Sequence, residues 1–329
     1  MSLGIDEPAS AGSEPERPSV IGGSTRFVPG QSNDRITVVN GKVQLGQRLK
    51  DLWANRDLLA LLTRTELKVK YKNSVLGYVW SMLNPALVLA IYFMVFSLIA
   101  KNGLAHFAVW LFAGLLVWNL FNGAAMSATG VVVGKAGIVK KVAFPRELLA
   151  LSVVGVAIVM FVIQIVVLVL ALVIFGITPD WPFLLLLPLA FVTLVVFTGA
   201  VSIFLSAVNV YLRDTQHLTE VLLMAWFWLT PIVYQFDLIS TKAADRGAPW
   251  ITFLYLCNPI TPVAMTFQRA IYGNPTYMTS TGKLHHVLPT WGMGAYAGVL
   301  GIVLAVSTAL FLLALVVFGR LEGNFAEEL

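Results

Sequence analysis

The hydrophobic pattern changes character several times along the chain. Residues 1–44 are rich in Ser, Gly, Pro and charge, with Glu14, Pro15, Glu16, Arg17 and Pro18 in succession. They hold too little apolar material to bury and predict a disordered tail. No short apolar core followed by a small-residue cleavage site is present, so no secretory signal peptide is expected and the amino terminus should stay in the cytoplasm. From 45 to 72, Leu49, Leu52, Trp53, Leu58, Leu59, Leu61, Leu62 and Leu67 alternate with Arg48, Lys50, Arg56, Arg64, Lys68, Lys70 and Lys72. This near-helical spacing predicts an amphipathic helix in the membrane interface, with Asn55 or Asp57 capping its second half. A helix docked on a partner at the membrane surface would show the same pattern.

Beyond residue 72 come apolar runs over 75–100, 107–133, 148–175, 183–212, 218–234 and 291–318. They predict six transmembrane helices, the fifth being the shortest. Asn84 and Pro85 fall within the first, where a missing backbone donor should kink or thin the helix. Residues 248–272 are apolar but interrupted by Pro249, Pro259 and Pro262. Two short re-entrant helices are expected there, tolerable only where protein covers their exposed backbone. The predicted fold is therefore an all-α integral membrane protein: an interface helix over 45–72, a transmembrane domain over 73–319 and a cytoplasmic tail over 320–329. No internal repeat is visible.

Composition sharpens this picture. Of 329 residues 58% are hydrophobic and only 12% charged, and mean hydropathy is +0.81. A soluble domain carries roughly 25% charge, so too few polar groups remain to cover a water-exposed surface. The net charge of +5 matters through its placement. Lys135, Lys140, Lys141 and Arg146 follow the second span against Glu147, whereas the loops holding Lys101 and Asp180 are charge-poor. The basic loop and the basic interface helix belong inside, which puts both termini in the cytoplasm and the protein in the plasma membrane.

Candidate chemistry is sparse. The span centres hold no carboxylate, His or Lys to bind a coupling ion. Gln164, the most polar side chain of the third span, is expected to bond a neighbouring helix. Arg213 and His217 would share one face of a helix, in a grouping with Asp214 and Glu220 that suits a structural loop or a docking surface better than catalysis. His285 and His286 are adjacent and point in different directions. With the lone Cys257 they make neither a metal site nor an internal disulfide. Gly130 to Ala136 approaches a phosphate loop but is one residue short and ends in Ala instead of Ser or Thr. No catalytic residues, metal, cofactor or nucleic-acid partner are expected in this chain, and energy for active transport must come from another.

Several blocks carry a family resemblance. They are Asn55-Arg56-Asp57-Leu58, the run from Glu66 to Trp80, Asn84-Pro85, Ala136 to Glu147, Ala207 to His217, Leu229 to Tyr234, and Asn258-Pro259-Ile260-Thr261-Pro262. In this order, over roughly residues 50 to 275, they resemble ABC-2 type permeases that export cell-surface polysaccharides such as O-antigen, teichoic acid and the galactan of mycolate-type cell walls. The resemblance implies a homodimer of six-span subunits with two copies of a separate ATP-binding cassette protein, which holds ATP and Mg. The amino-terminal extension departs from the pattern, and galactan is the expected cargo. Competing readings are an ABC-2 exporter of a drug or small lipid, and a membrane transferase, for which neither paired interfacial carboxylates nor an Asp-rich loop is present.

Three residue sets are then of interest. Lys140, Lys141, Phe144, Pro145, Arg146, Arg213 and Asp214 mix charge with an aromatic anchor and should meet the ATPase, although positive-inside anchoring alone accounts for the lysines. Lys68, Lys70, Tyr71 and Lys72 stand where an anionic pyrophosphate lipid head group, or a plain phospholipid, would approach. Tyr92, Phe93, Phe96, Trp226, Trp228 and Tyr234 offer aromatic platforms to the C–H faces of sugars along a pathway between subunits. Interfacial anchoring is the plainer explanation for each.

Overall fold

The computed structural model describes residues 45–72, 79–95, 106–278 and 284–329. The tail expected over 1–44 and the pathway candidate Phe96 lie outside them. The described residues belong to one unit, Val43–Leu329.

The interface region is two helices, α1 (Leu45–Ala54) and α2 (Arg56–Tyr71). Asn55 stands between them at the N-cap position of α2, but its amide donates backward to the Asp51 carbonyl at 2.7 Å and caps nothing ahead of it. Asp57 supplies the negative charge in the first turn of α2. Next comes α3 (Val79–Phe93), which carries Pro85 in its interior with that residue buried.

The centre is α4 (Phe107–Gly134), from which a short α5 (Ala136–Val139) leads to α6 (Glu147–Phe175). Gly176 closes α6 in the left-handed conformation at φ 63°, where a side chain would be strained. The chain returns through α7 (Trp181–Leu184) and α8 (Leu187–Tyr211), then enters α9 (Thr215–Leu229). A cap follows, made of α10 (Phe236–Asp245), α11 (Trp250–Cys257), α12 (Ile260–Tyr272) and an antiparallel ribbon, β1 (Thr276–Met278) with β2 (Leu284–His286). Last come α13 (Met293–Leu321), a 3-10 turn and α14 (Phe325–Glu328).

Among the described residues four helical stretches are long and apolar enough to cross a membrane: α4, α6, α7 with α8, and α13. A fifth is added if α11 and α12, bent by 88°, count as one. Two further spans were expected. Of the first, residues 79–95 are described, and they hold α3 (Val79–Phe93). The fifth is the 15-residue α9, about 22 Å long at ~1.5 Å per residue. Proline explains where the helices break: Thr230 precedes Pro231 and Asn258 precedes Pro259, both take extended backbone, and a residue before proline avoids the helical region.

Glycines allow the close helix contacts. A Cβ on Gly199 of α8 would lie 3.1 Å from the Phe311 ring of α13, and one on Gly155 of α6 would lie 2.7 Å from Thr63 Oγ1 of α2. Two ends can be told apart by charge. At the basic end Arg48 reaches past Gly319 to pair with Glu147 and, at 3.1 Å, with Glu322. Arg146 donates to the Glu322 carbonyl at 3.1 Å, and Lys135 pairs with Glu66. Burial works against the Arg48 charge, but Glu147 and Glu322 outweigh it and hold its guanidinium above the ordinary arginine value. At the opposite end Arg269 pairs with Asp180 at 3.1 Å and lies over the Phe183 ring. Residues 320–329 fold back: Phe325 is fully buried against the rings of Tyr211 and Phe318.

Candidate functional site

Most of α4 is buried, yet one stripe is not. Asn119, Gly123 and Ser127 are exposed, and Asn122, Met126 and Gly130 beside them are half-buried. The spacings i, i+3, i+4, i+7, i+8 and i+11 put all six on one helix face. A stripe of amides, a hydroxyl and glycines in the most enclosed helix is expensive unless something polar meets it.

The neighbours of α4 frame this stripe. On one side stands α9, with Phe227 5.4 Å from Trp118 and Trp226 5.1 Å from Phe121 between ring centroids. On the other, α2, α3 and α6 enclose a cleft of about 390 Å³ whose lining includes Trp80, Asn84, Asn119, Ser127 and Gln164. Asn119 donates to Gln164 Oε1 at 3.0 Å, the interhelical bond expected of Gln164. Lys70 and Tyr71 also line this cleft, and the Tyr71 hydroxyl lies 3.2 Å from Met160 Sδ. Two of the four head-group candidates therefore join the polar cleft. Lys68 of the same helix and Lys72 at its C-cap are exposed without lining it.

The aromatic candidates separate. Tyr92 and Phe93 are half-buried, and Phe93 stacks on Phe175 at 5.2 Å. Trp226 lines a different, apolar cleft of about 780 Å³ between α8, α9, α11 and α13. Its indole donates to Asn258 Oδ1 at 3.0 Å, while the Asn258 amide donates to the Thr230 hydroxyl at 2.9 Å, so this ring ties α9 to the α11–α12 bend. Trp228 points outward, 61% exposed, and the Tyr234 hydroxyl donates to its carbonyl at 2.8 Å.

The loop candidates meet at the basic end. Lys140, Lys141, Arg213 and Asp214 are exposed. Phe144 and Tyr211 pack against the same apolar cluster, which includes Val139, Phe318 and Phe325, so the two loops share a foundation. Pro145 is half-buried, and Arg146 is engaged by Glu322. Because α9 begins at Thr215, Arg213 stands in the turn before it and does not share a helix face with His217. Gly130 and Gly134 lie in the last turns of α4, where the free backbone groups are carbonyls, and Lys135 is paired with Glu66. A phosphate needs the N–H groups of a helix start, so this stretch is unsuited to one.

The α4 stripe was missed at the level of sequence, although its signal was there: Asn119, Asn122, Gly123, Ser127 and Gly130 recur at helical spacing within an otherwise apolar run.

Residues 57–272 match the sequence profile of the ABC-2 type transporter family. The chain belongs to that family. The matched region runs from α2 through α12 and so contains the polar cleft, both loops and the bent pair. This ABC-2 family member is similar to the O-antigen export system permease protein RfbA of Klebsiella pneumoniae, 32% identical over 273 residues, 83% of this chain and 95% of the relative. It is also similar to the protein of the same name from Myxococcus xanthus, 29% identical over 224 residues, 68% of this chain and 84% of that one. It is a multi-pass membrane protein of this permease family.

Proposed function

We propose that the chain is the transmembrane subunit of an ATP-driven exporter that moves a lipid-linked cell-surface polysaccharide out across the plasma membrane. The observation that carries this reading is the polar stripe of α4, opening beside Lys70 and Tyr71. Amides and hydroxyls without net charge suit a chain of sugar hydroxyls that must slide, and the cationic mouth suits an anionic lipid head group. The basic end faces the cytoplasm, with both termini there. Six crossings are completed by α3 and α9, and α11–α12 form a re-entrant pair. Two copies assemble so that α3 of one faces α9 of the other, with both α4 stripes toward the pathway. ATP and Mg bind to two separate cassette subunits docked on the loops at the basic end, and this chain performs no catalysis. Support comes from the export systems named for the relatives. Galactan is our choice of sugar, on the strength of the motif blocks.

Depleting the protein should trap lipid-linked glycan on the cytoplasmic side, and Asn119→Leu with Ser127→Leu should do the same while inserting normally. Unchanged surface glycan would refute the reading. The apolar cleft favours a second reading, export of a drug or small lipid; transport of such compounds by reconstituted vesicles, with surface glycan intact, would establish it.

A further inference from the structure

Residues 320–329 fold onto the basic end and reach both of its loops and the interface helix α1. We propose that this segment is a coupling brace, in which Glu322 is a positioning residue that makes the two loops and α1 move as one body when the ATPase drives them. The proposal rests on the export reading above, which puts the ATPase on those loops.

Glu322 divides its carboxylate between two elements. Its Oε2 accepts from Arg48 of α1 at 3.1 Å, and its Oε1 lies 3.6 Å from Arg146 Nε at the end of the first loop. Its carbonyl accepts from Arg146 as well, at 3.1 Å. Arg48 in turn pairs with Glu147, the first residue of α6. Two guanidinium groups and two carboxylates thus form a neutral quartet, which offsets the cost of enclosing each charge and makes any one member expensive to lose. The second loop is held beside it. The Tyr211 hydroxyl donates to the Leu321 carbonyl at 2.7 Å, and its ring meets that of Phe325 at 6.1 Å. Phe144 of the first loop packs on the cluster that contains Phe325.

A chain end that only filled a hole would need Phe325 alone, whereas Glu322 gives one oxygen to each of two arginines from different elements. From α1 the connection runs on. The Asn55 N–H bonds the Asp51 carbonyl and the Leu59 N–H bonds the Asn55 carbonyl, both at 3.0 Å, so α1 and α2 stay joined across their break. Lys70 and Tyr71 of α2 line the polar cleft. Movement of the loops is therefore passed, through an ion-pair network and rigid helices, to the cleft that receives the glycan. Gly319 makes the crossing possible: a Cβ there would lie 2.6 Å from Arg48 Cζ.

The test uses the full complex with its ATPase in proteoliposomes, supplied with lipid-linked glycan from the same cells, and reads export per ATP hydrolysed. Gly319→Ala adds a methyl that displaces the Arg48 guanidinium without removing a charge, and alanine is the better helix former, so thermal stability should hold or rise. Glu322→Gln removes the charge and keeps the shape of the side chain. Each should lower export per ATP by roughly threefold or more, with ATP hydrolysis near the unaltered rate. Wild-type export per ATP in either variant overturns the brace. So does a fall of hydrolysis in step with export, which is the signature of lost fold or assembly. Should Glu322→Gln fail to insert, Gly319→Ala decides alone. Normal surface glycan after depletion, or an unaltered complex that binds no ATPase, overturns the export reading instead.

Discussion

Thr63 and Gly155 touch where α2 lies across α6. The Thr63 hydroxyl bonds the Leu59 carbonyl at 2.9 Å and lies 3.3 Å from that of Ser152, so a β-branched side chain with few rotamers is held against a residue that has no side chain. A methyl on Gly155 would meet Thr63 Oγ1 at 2.7 Å and Cγ2 at 3.0 Å, but Cβ only at 3.4 Å. Gly155→Ala should therefore cost ~1–3 kcal/mol by overpacking, and Thr63→Ala in the same chain should restore most of it. Thermal unfolding of the single and double variants checks this, and additive losses would show that the contact is not the cause. Much at this scale was legible beforehand. Gln164 was expected to bond a neighbouring helix because hydrocarbon offers it few partners, and it accepts from Asn119. Asn55 was placed correctly but with its amide facing the wrong way, since a cap and a backward bond to Asp51 need the same residue type at the same place.

Elements were legible where length and proline decide them. The long uncharged runs became α4, α6, α8 and α13, and the prolines at 231 and 259 mark breaks that Thr230 and Asn258 show as extended backbone. Polarity within a helix was harder to read, because the α4 stripe mixes amides with glycines that also serve packing. The C-terminal segment was harder still: a few acidic residues look like a solvated tail, and only the rings of Tyr211 and Phe318 show why Phe325 pulls them inward. The two loops at the basic end rest on that same cluster, which changes how the docking idea should be tested. Phe144 is partly committed to its own chain, so its removal would mix folding with coupling. Lys141 and Arg213 are exposed and clean. Lys141→Glu with Arg213→Glu should leave the protein inserted and thermally stable, yet reduce export several-fold while the ATPase continues to turn over. Export rate set against ATP hydrolysis in proteoliposomes measures this.

For the whole molecule, the two faces left open are informative. Along α3, Val79, Leu83, Leu87 and Ile91 are exposed at four-residue intervals, and along α9 so are Leu218, Val221, Leu222 and Trp228. In a lipid-facing helix this needs no explanation, but these two helices also flank the polar stripe of α4. If two copies close over that stripe, cysteines at Leu83 and Met224 in a Cys257→Ser chain should cross-link to a dimer in membranes, and chains carrying either cysteine alone should not, because neither position meets its own copy. Cys257 is the only native thiol and is exposed, so the background is simple. Monomer alone after oxidation would count against the arrangement. The bond from Arg48 to Glu322 has a consequence for biosynthesis. Arg48 is made 99 residues before its first partner, Glu147, and 274 residues before its second, Glu322. Until residue 325 has been made, this corner of the molecule holds one carboxylate where it needs two, Arg146 lacks its Glu322 partner, and Phe325 has not yet filled its socket. A chain cut short near residue 320 would thus keep the helices from α1 to α13 yet stand open at the basic end, a defect that quality-control proteases could recognise by surface exposure.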